Sequence, residues 1–302
     1  MESTSNKHEE IKPIVTIGVC VKNSAVTLRE AIESIIAQDY PHEFMEIIFV
    51  DDGSKDETLS IIKSYIPKMN MTVKIFHHEW RGLGASRNVV VNNASGKYIV
   101  WVDGDMILPS DHVRKQVEYM EKNQNVGIAK SKHGMLSGSL VAKLENLPYV
   151  VLDYKNNGAV KPGLLGTGGA IYRTEAIRQI GGFNESIKSV GEDQDAARRI
   201  FKKGWLFGRT NTYFYERRRE TWKALWDEYF WWGLGMHQTL RENKDVAVLY
   251  KMNLLFGLFS GIIYSIDAYK LTHQKICFLL PLQFIFKIVA WWTGYFKSLL
   301  SS

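Results

Sequence analysis

The sequence predicts an α/β fold with a mostly parallel central sheet flanked by helices, followed by an apolar C-terminal region. Three observations support this prediction. Residues 14–105 alternate short apolar runs with amphipathic segments in a β-α-β-α-β-α-β order, which is typical of parallel sheets with right-handed crossovers. Polar residues follow the predicted strands directly. The last sixty residues contain two long and nearly continuous apolar segments.

The first strand is predicted at 14–21, where β-branched residues are frequent. Thr27 and Glu30 have the spacing of a helix capping box, and the helix after them ends before Tyr40-Pro41. A second strand at 46–50 ends at Asp51-Asp52-Gly53-Ser54. Ser54 and Glu57 have the spacing of a second capping box.

A third strand is predicted at 72–76, and the segment Gly82–Asn88 leads into another helix. The fourth strand, 98–102, is a buried apolar run that ends abruptly at Asp103-Gly104-Asp105. Two carboxylates brought together in this way repel each other unless a cation lies between them. A hard divalent cation such as Mg²⁺, which shares its ligand shell with phosphates, is one interpretation. A solvated Asp-Gly turn is the other.

Parallel strands place their carboxyl ends on one edge of the sheet, which is where ligands bind in open α/β sheets. Five polar residues follow predicted strands and are expected to converge on this edge: Asn23, Asp51, Asp52, Asp103 and Asp105.

The following part of the chain is less regular. A helix is predicted at 111–122 and a strand at 126–130. The segment Gly166–Arg173 is predicted to be a glycine-rich loop that enters a strand. Gly191-Glu192-Asp193-Gln194-Asp195 opens a helix that runs to about Lys203. The helix dipole favours acidic residues at that end, so these acids have a structural explanation besides a functional one.

The C-terminal third predicts attachment to a membrane. Aromatic and basic residues crowd a helical segment at 219–240, as in helices that lie on a membrane surface; an ordinary core helix is the alternative. Residues 246–266 and 276–296 are each about as long as a bilayer core requires. We expect two spans, with a buried or in-plane hairpin as the rival, and Lys287 is the residue that most disfavours spanning.

Composition limits the function classes. The 302 residues are 45% apolar and carry a formal net charge of +6, which suits an anionic membrane surface or phosphorylated substrates. No nucleic-acid partner is expected, because no long tract of Lys or Arg residues occurs apart from Arg217-Arg218-Arg219. The two cysteines, without paired metal spacing, suggest a reducing compartment. Residues 1–12 are polar and predict no secretory signal.

Two common nucleotide-binding motifs are excluded. The sequence contains no G-x-x-x-x-G-K-[ST], which argues against a P-loop. Gly82-Leu83-Gly84 follows the third strand instead of the first, and Arg87 occupies the third glycine position of a dinucleotide fingerprint. A hydride-transfer enzyme is therefore not expected.

The ordered set of motifs resembles the inverting glycosyltransferases of family 2, which have the Rossmann-like GT-A fold. The resemblance covers about residues 13–240 and rests on five segments: Val50–Asp56, Ala85–Asn88, Asp103–Asp105, Gly168–Ala170 and Glu192-Asp193. The aromatic helix and apolar tail resemble membrane-attached members that build polysaccharides or lipid-linked glycans.

The resemblance implies a role for each matching residue. Asp51 and Asp52 would contact the base and ribose of a nucleotide-sugar donor, with Asn23 beside them. Asp103 and Asp105 would form the D-x-D motif, in which Asp105 is the more direct ligand of Mg²⁺ or Mn²⁺ and Asp103 lies nearer the ribose.

The remaining implied roles concern the reacting groups. Asp193 would be the general base, consistent with the need to deprotonate an acceptor hydroxyl. Gly168, Gly169 and Glu192 would belong to the loops around the donor sugar and acceptor. Arg87 would add a cation near the phosphates, or be a charge on a helix surface.

Two departures from the family pattern narrow the function. Many processive relatives carry Q-x-x-R-W after the base, whereas this chain has Glu228–Gly233 in the comparable helix. Transfer of a single sugar is therefore expected, rather than polymerisation. Some relatives offer a histidine to the metal just before this helix; here Tyr215-Glu216-Arg217 stands in that region, and Glu216 is a candidate substitute.

The sequence thus predicts a metal-assisted transferase that moves a sugar, with inversion, to a lipid-linked or polysaccharide acceptor at the cytoplasmic face of the cell membrane. The predicted parts are a polar tail at 1–12, a catalytic domain at 13–215, an interfacial helix region at 216–245 and a hydrophobic hairpin at 246–302. A nucleotidyltransferase of similar fold and a catalytically silent membrane subunit are the alternatives.

Overall fold

The computed structural model describes residues 14–155, 166–187, 191–242 and 252–300, with side chains omitted for 237–242. The predicted polar tail at 1–12 and part of the first apolar segment lie outside this range. The strands are β1 (Val15–Val21), β2 (Met45–Asp52), β3 (Thr72–His78), β4 (Tyr98–Trp101), β5 (Met106–Ile107), β6 (Val126–His133), β7 (Ala170–Arg173) and β8 (Leu206–Glu216). The α-helices are α1 (Leu28–Ile36), α2 (Thr58–Tyr65), α3 (Leu83–Asn93), α4 (His112–Lys122), α5 (Leu140–Lys155), α6 (Thr174–Gln179), α7 (Glu192–Lys202), α8 (Trp222–Glu242), α9 (Leu254–Thr272) and α10 (Leu280–Leu300).

The central sheet has the strand order β3-β2-β1-β4-β7-β6-β8-β5. Strands β3, β2, β1 and β4 are mutually parallel, as the alternating pattern predicts. Strand β7 reverses this direction and is antiparallel to both β4 and β6. The fold class is therefore confirmed: a mostly parallel sheet covered by helices on both faces.

Burial explains why β1, β2 and β4 are continuous apolar runs. Every residue of these three strands is buried, and two separate hydrophobic clusters cover the two faces of the sheet. On one face, Ile17 and Phe49 pack with Leu28 and Ile32 of α1. On the other, Ile48 and Ile99 pack with Val90 of α3. This core fixes the strand ends that carry the polar residues.

Both predicted capping boxes are wrong. Thr27 precedes α1 without a side-chain capping bond, because its hydroxyl donates instead to the carbonyl oxygen of Gly104, 2.7 Å away. Helix α2 begins only at Thr58, and the carboxylate of Asp56 accepts the Thr58 backbone N–H at 3.0 Å. A contact between loops thus replaces the cap of α1, whereas α2 is capped locally by Asp56, and both loops border the edge where the polar residues converge.

The aromatic helix predicted at 219–240 is present as α8, and it packs along α10. At Gly233 an added Cβ would lie 2.0 Å from the carbonyl oxygen of Trp291, and at Gly294 it would lie 2.0 Å from that of Phe230. The two backbones approach this closely because both positions lack a side chain. Two segments are long and apolar enough to cross a bilayer, by length and composition: Leu254–Thr272 and Lys275–Leu300.

Candidate active site

A cavity of about 640 Å³ lies at the carboxyl edge of the parallel strands. Seven residues singled out from the sequence line it: Asp52, Arg87, Asp103, Gly168, Glu192, Asp193 and Glu216. These residues come from segments up to 164 positions apart, and the fold brings them together. Asn23, Asp51, Asp105 and Gly169 do not belong to the cavity lining.

The two aspartates that end β2 have different surroundings. Asp51 is fully buried; one of its oxygens accepts the Ser54 backbone N–H at 3.0 Å, and the other lies 3.0 Å from Nδ1 of His77. Asp52 lines the cavity, and its two oxygens accept the backbone N–H groups of Arg81 and Gly82 at 2.8 and 3.1 Å. Asp51 therefore shapes the turn after β2, while Asp52 borders the cavity itself.

The loop after β1 is tied to the loop after β2. The side-chain oxygen of Asn23 accepts the Lys55 backbone N–H at 2.8 Å, and the Asn23 backbone N–H donates to Ser54 Oγ at 2.9 Å. Asn23 adopts a left-handed backbone conformation with φ 51°, which asparagine tolerates better than most residues. Asn23 thus connects two loops beside the cavity and is not in its wall.

Lys22 and Trp80 are wall residues that sequence reasoning missed. The Lys22 ammonium lies 4.9 Å from the centre of the Trp80 ring, and both residues line the cavity. Trp80 is half exposed. A flat aromatic surface beside a cation suits a planar, negatively charged ligand. The signal available in the sequence was an aromatic residue placed between the end of β3 and Gly82.

Arg87 is a buried cation in the cavity wall. Its guanidinium donates to the carboxylate of Glu192 and to the hydroxyl of Thr167, and it lies 3.9 Å from Asp103 Oδ1. Burial alone would lower the pKa of Arg87, but the carboxylates of Glu192, Asp103 and Asp193 outweigh it and raise that pKa. The arginine is therefore charged and holds three separate segments of the site in place.

The segment Asp103-Gly104-Asp105 is held in a tight turn after β4. A Cβ on Gly104 would lie 3.0 Å from both Ser24 Oγ and Val21 Cγ1, so a larger residue would push the turn away from β1. The backbone N–H of Asp103 points at the sulfur of Met106 at 3.3 Å. The carbonyl oxygen of Asp105 accepts the Arg217 backbone N–H at 2.8 Å. These contacts place the two carboxylates between β1 and the end of β8.

Three carboxylates share this region. Burial, together with the nearby Glu216 and Asp103, raises the pKa of Asp105 to about 7. Burial also raises the pKa of Glu216, and Asp103 and Glu228 add to that effect although Arg218 opposes it. Strand pairing explains the proximity, since Glu216 of β8 lies opposite Met106 of β5. Glu216 was predicted as a substitute metal ligand, and it lies next to the aspartate pair.

The oxygen chemistry of this cluster fits a hard divalent cation. A cation would relieve the repulsion from Glu216 and Asp103 that adds to the effect of burial on the pKa of Asp105. Within the described residues, no three acidic, histidine or cysteine side chains are already arranged around a single metal position. The protein would therefore supply at most two carboxylates to one cation, and phosphate oxygens and water would complete the shell, as is usual for Mg²⁺.

Asp193 lies in the first turn of α7 and lines the same cavity. One of its oxygens accepts the Thr167 backbone N–H at 3.3 Å, and the other accepts the Gln194 backbone N–H at 2.7 Å. Lys130 donates to the carbonyl oxygen of Gly166 at 3.2 Å and lines the same wall. Asp193 is half-buried and retains access to the cavity, as a proton acceptor requires.

The glycine-rich loop before β7 packs against the floor of the site. Gly168 approaches Asp103 closely, since a Cβ there would lie 3.5 Å from Asp103 Oδ2. Gly169 has φ +65°, and its carbonyl oxygen accepts both the backbone N–H and the hydroxyl of Ser131, at 2.9 and 2.6 Å. The loop is thereby fixed between β6 and the aspartate pair.

Replacing Gly169 with alanine is expected to lower the free energy of unfolding by about 2 to 4 kcal/mol. The added Cβ would lie 2.2 Å from the Phe214 ring, in addition to the strain of a left-handed backbone. Gly181→Ala is the matched control, because Gly181 has φ +75° and nothing lies within 4 Å of its added Cβ. Denaturant unfolding of both variants separates the steric overlap with Phe214 from the backbone strain that the two positions share. Equal decreases in the free energy of unfolding would contradict the packing argument.

The other end of the cavity is aromatic and apolar. Its wall is formed there by Trp231, Trp232 and Met236 of α8, Met252, and Trp291 of α10. Between this end and the carboxylates, the guanidinium of Arg218 stacks 4.3 Å from the centre of the Tyr149 ring and donates to Glu216 at 2.8 Å. The cavity therefore runs from charged strand ends to apolar helices.

Comparison with known proteins identifies relatives of this arrangement. The model of the family described as "Glycosyl transferase family 2" matches residues 16–181. The chain is 27% identical over 228 residues to the glycosyltransferase GlyA of Streptococcus pneumoniae, a match that covers 71% of this chain and 32% of GlyA. It is 38% identical over 115 residues to an uncharacterized glycosyltransferase of Rickettsia bellii, covering 37% of this chain and 16% of that protein. The chain therefore matches about a third of the length of GlyA and less than a fifth of the length of the Rickettsia bellii protein.

Solved structures share the whole fold. The mannosyltransferase PcManGT of Pyrobaculum calidifontis, in complex with GDP-Man and Mn²⁺, superposes with a TM-score of 0.64 at 17% identity, covering 96% of this chain and 88% of that one. TarS 1–349 of S. aureus superposes with a TM-score of 0.55 at 18% identity, covering 95% and 92%. The predicted GT-A fold is confirmed by these neighbours.

Proposed function

The chain belongs to glycosyltransferase family 2, and we propose that it transfers a single sugar from a nucleotide-sugar donor to a hydroxyl group of a lipid-linked or polysaccharide acceptor, with inversion. One observation carries the proposal. A single cavity is lined by Asp52 and Asp103, which end parallel strands or follow them, and by Asp193, the candidate proton acceptor. Direct displacement at a sugar carbon requires carboxylates on the donor side and a proton acceptor for the attacking hydroxyl within one space.

The donor nucleotide would occupy the part of the cavity near β1 and β2. Trp80 offers a surface for the base, Asp52 borders the ribose position, and Lys22 supplies a positive charge. Asp51 and Asn23 would act on the nucleotide indirectly, since their side chains hold the loops after β1 and β2. Among similar structures, PcManGT is in complex with GDP-Man and TarS 1–349 is in complex with UDP-GlcNAc.

Asp105 and Asp103 would hold Mg²⁺ or Mn²⁺, with Glu216 beside them. A bound cation supplies charge neutralisation for the departing diphosphate. The other roles in the reaction belong to side chains of the protein. Asp193 takes the proton from the acceptor hydroxyl as that oxygen attacks the sugar. Arg87 keeps Glu192 and Thr167 in place, and through Thr167 it orients Asp193.

The proposal also includes attachment of the protein to a membrane. Residues 216–245 and 246–302 would attach the catalytic domain, 13–215, to the cell membrane at its cytoplasmic face. The presence of two long apolar helical segments at the C-terminus supports this assignment. Glu228–Gly233 in the helix after the base differs from the motif of processive relatives, which supports transfer of one sugar.

A thermal-shift screen of nucleotide sugars tests the proposal directly. We expect the correct donor, with Mn²⁺ present, to raise the melting temperature, since ligand at 100 times its Kd stabilises the folded state by about 2.7 kcal/mol. Asp103→Asn should abolish the part of the shift that requires Mn²⁺. Asp111→Asn is the control, because Asp111 forms an ion pair with Lys115 on α4, outside the cavity lining.

Product analysis decides between this proposal and its alternatives. Release of a nucleoside diphosphate is expected. Release of pyrophosphate from a nucleoside triphosphate would indicate a nucleotidyltransferase. A protein that binds no nucleotide with either cation would be a catalytically silent subunit.

A further inference from the structure

The α9–α10 hairpin exposes a continuous apolar face. On α9, Leu255, Phe259 and Ile263 follow one another at four-residue intervals and are 67%, 63% and 56% exposed, so they lie on one side of the helix. Phe278 and Leu282, before and within α10, are 55% and 66% exposed. A surface with this much contiguous apolar area indicates a binding partner.

The opposite face of the hairpin is fixed to the catalytic domain through α5. The Lys287 ammonium of α10 lies 3.0 Å from Glu145 Oε2 of α5, and the hydroxyl of Tyr229 donates to the other oxygen of Glu145 at 2.9 Å. Lys155 at the end of α5 forms an ion pair with Asp267 of α9. The lysine that disfavours a membrane-spanning segment is therefore paired with an acid of the catalytic domain.

Helix α5 is in turn fixed to the central sheet. Asp153 accepts the backbone N–H of His133 in β6 at 2.7 Å and forms an ion pair with Arg209 of β8. The hairpin, α5 and the sheet edge are therefore connected by buried polar contacts. Any orientation of the hairpin in a membrane carries these connected elements with it.

The attachment point is in the middle of the apolar segment. Lys287 divides the 26-residue segment Lys275–Leu300 into residues 275–286 and 288–300, each about 20 Å long. A bilayer core is about 30 Å thick. A spanning orientation would therefore place Lys287 and the polar contacts of α5 within the hydrocarbon, where polar groups are costly.

We propose that the hairpin lies in the plane of one membrane leaflet, with its exposed apolar face in the lipid and the catalytic domain on its other face. Both ends and the turn of the hairpin then remain on the side of the catalytic domain. The net charge of +6 complements an anionic leaflet.

This orientation has a consequence for the acceptor, which rests on the proposed function. Trp291 of α10 and Trp231 of α8 line the apolar end of the cavity, and both helices would lie at the leaflet. An acceptor with a lipid chain would enter sideways from the membrane, placing its polar head toward Arg218 and the carboxylates. The orientation of the hairpin can be tested independently of any activity.

The test determines on which side of the membrane each of two introduced cysteines lies. Each cysteine is introduced separately into the full chain, which is expressed in membranes. Gln274→Cys marks the exposed turn between α9 and α10, and Val26→Cys marks the catalytic domain at a residue that is 95% exposed. An in-plane hairpin places both on one side. A membrane-impermeant maleimide is therefore expected to label both cysteines in the same vesicle preparation, right-side-out or inverted.

The native thiols Cys20 and Cys277 are buried, and the unmodified chain gives the background labelling. Detergent-solubilised samples give the total for each variant. Labelling of Gln274→Cys and Val26→Cys in opposite preparations would show two spans and overturn the proposal. Failure of the chain to float with vesicles that contain anionic lipid would also overturn it. Neither result depends on donor binding, so the proposed function stands or fails separately.

Discussion

Replacing Asp193 with asparagine is expected to reduce the rate of sugar transfer by about 10²- to 10⁴-fold, the range that a positioned general base contributes. Asparagine keeps the size of the side chain, and its one oxygen can accept one of the two backbone N–H groups, of Thr167 and Gln194, that the carboxylate accepts. It removes the ability to take a proton from the acceptor hydroxyl. Affinity for the donor should remain, because the proposed role of Asp193 concerns the acceptor hydroxyl and the donor is assigned to Asp52, Asp103 and Asp105.

The measurement is the rate of nucleoside diphosphate release with acceptor present, alongside donor affinity from the thermal shift. Asp195→Asn is the matched control, since Asp195 lies two residues further along α7 and forms an ion pair with Arg199 at 2.7 Å. That variant should retain a rate close to that of the wild type. A normal rate for Asp193→Asn, or a loss of equal size in both variants, would remove Asp193 as the base.

The sequence predicted the parallel half of the fold because its signals are local. Strands β1, β2 and β4 are buried on both faces and therefore appear as unbroken apolar runs. Helix α4, predicted at 111–122, is found at His112–Lys122. The topology of parallel strands then brings Asp52 and Asp103 together without any knowledge of side-chain contacts, whereas Asp193 reaches the site from the first turn of α7.

Of the elements that the sequence did not predict, β8 and α5 were missed because their stabilising contacts are distant in sequence. Strand β8 alternates buried and exposed residues from Gly208 to Phe214, a period-two pattern that is interrupted by several polar residues. Helix α5 contains Pro148 in its interior, which argues against a helix when the sequence is considered alone. Packing of Leu144 and Leu147 against Leu280 and Ala268 compensates for the proline.

The sequence predicted several of the residues that belong to the site, but not what each of them contacts. Residue type could not show that Asp51 is already engaged by Ser54 and His77 while Asp52 borders the cavity. Arg87 had two interpretations, a phosphate-binding cation or a surface charge. In the structure it is neither: Arg87 is only 4% exposed and forms an ion pair with Glu192, which lies 105 residues further along the sequence. A contact over that separation has no local signal.

Because Arg87 is buried with its partner, its replacement by methionine is expected to lower the free energy of unfolding by about 3 to 5 kcal/mol. The change leaves the carboxylate of Glu192 buried without a cation. Burial already raises the pKa of Glu192 to about 7 although Arg87 opposes it, and loss of the arginine would raise that pKa further. The measurement is denaturant unfolding of the full chain in detergent.

The pH dependence of this loss identifies its cause. A carboxyl group whose pKa is raised in the folded state takes up a proton at low pH, so its contribution to stability is present there and is lost as the pH rises through the folded-state pKa. The loss for Arg87→Met should therefore be smaller at pH 5.5 than at pH 8. The double variant Arg87→Met/Glu192→Gln removes the unpaired charge and should recover much of the stability at pH 8.

Arg114→Met, which removes an exposed ion pair with Asp39, is the control and should lower the free energy of unfolding by about 1 kcal/mol or less. A loss of 3 kcal/mol or more that is independent of pH, without recovery in the double variant, would show that Arg87 acts by packing against Trp101 and Phe183 and that its charge is not what stabilises the site.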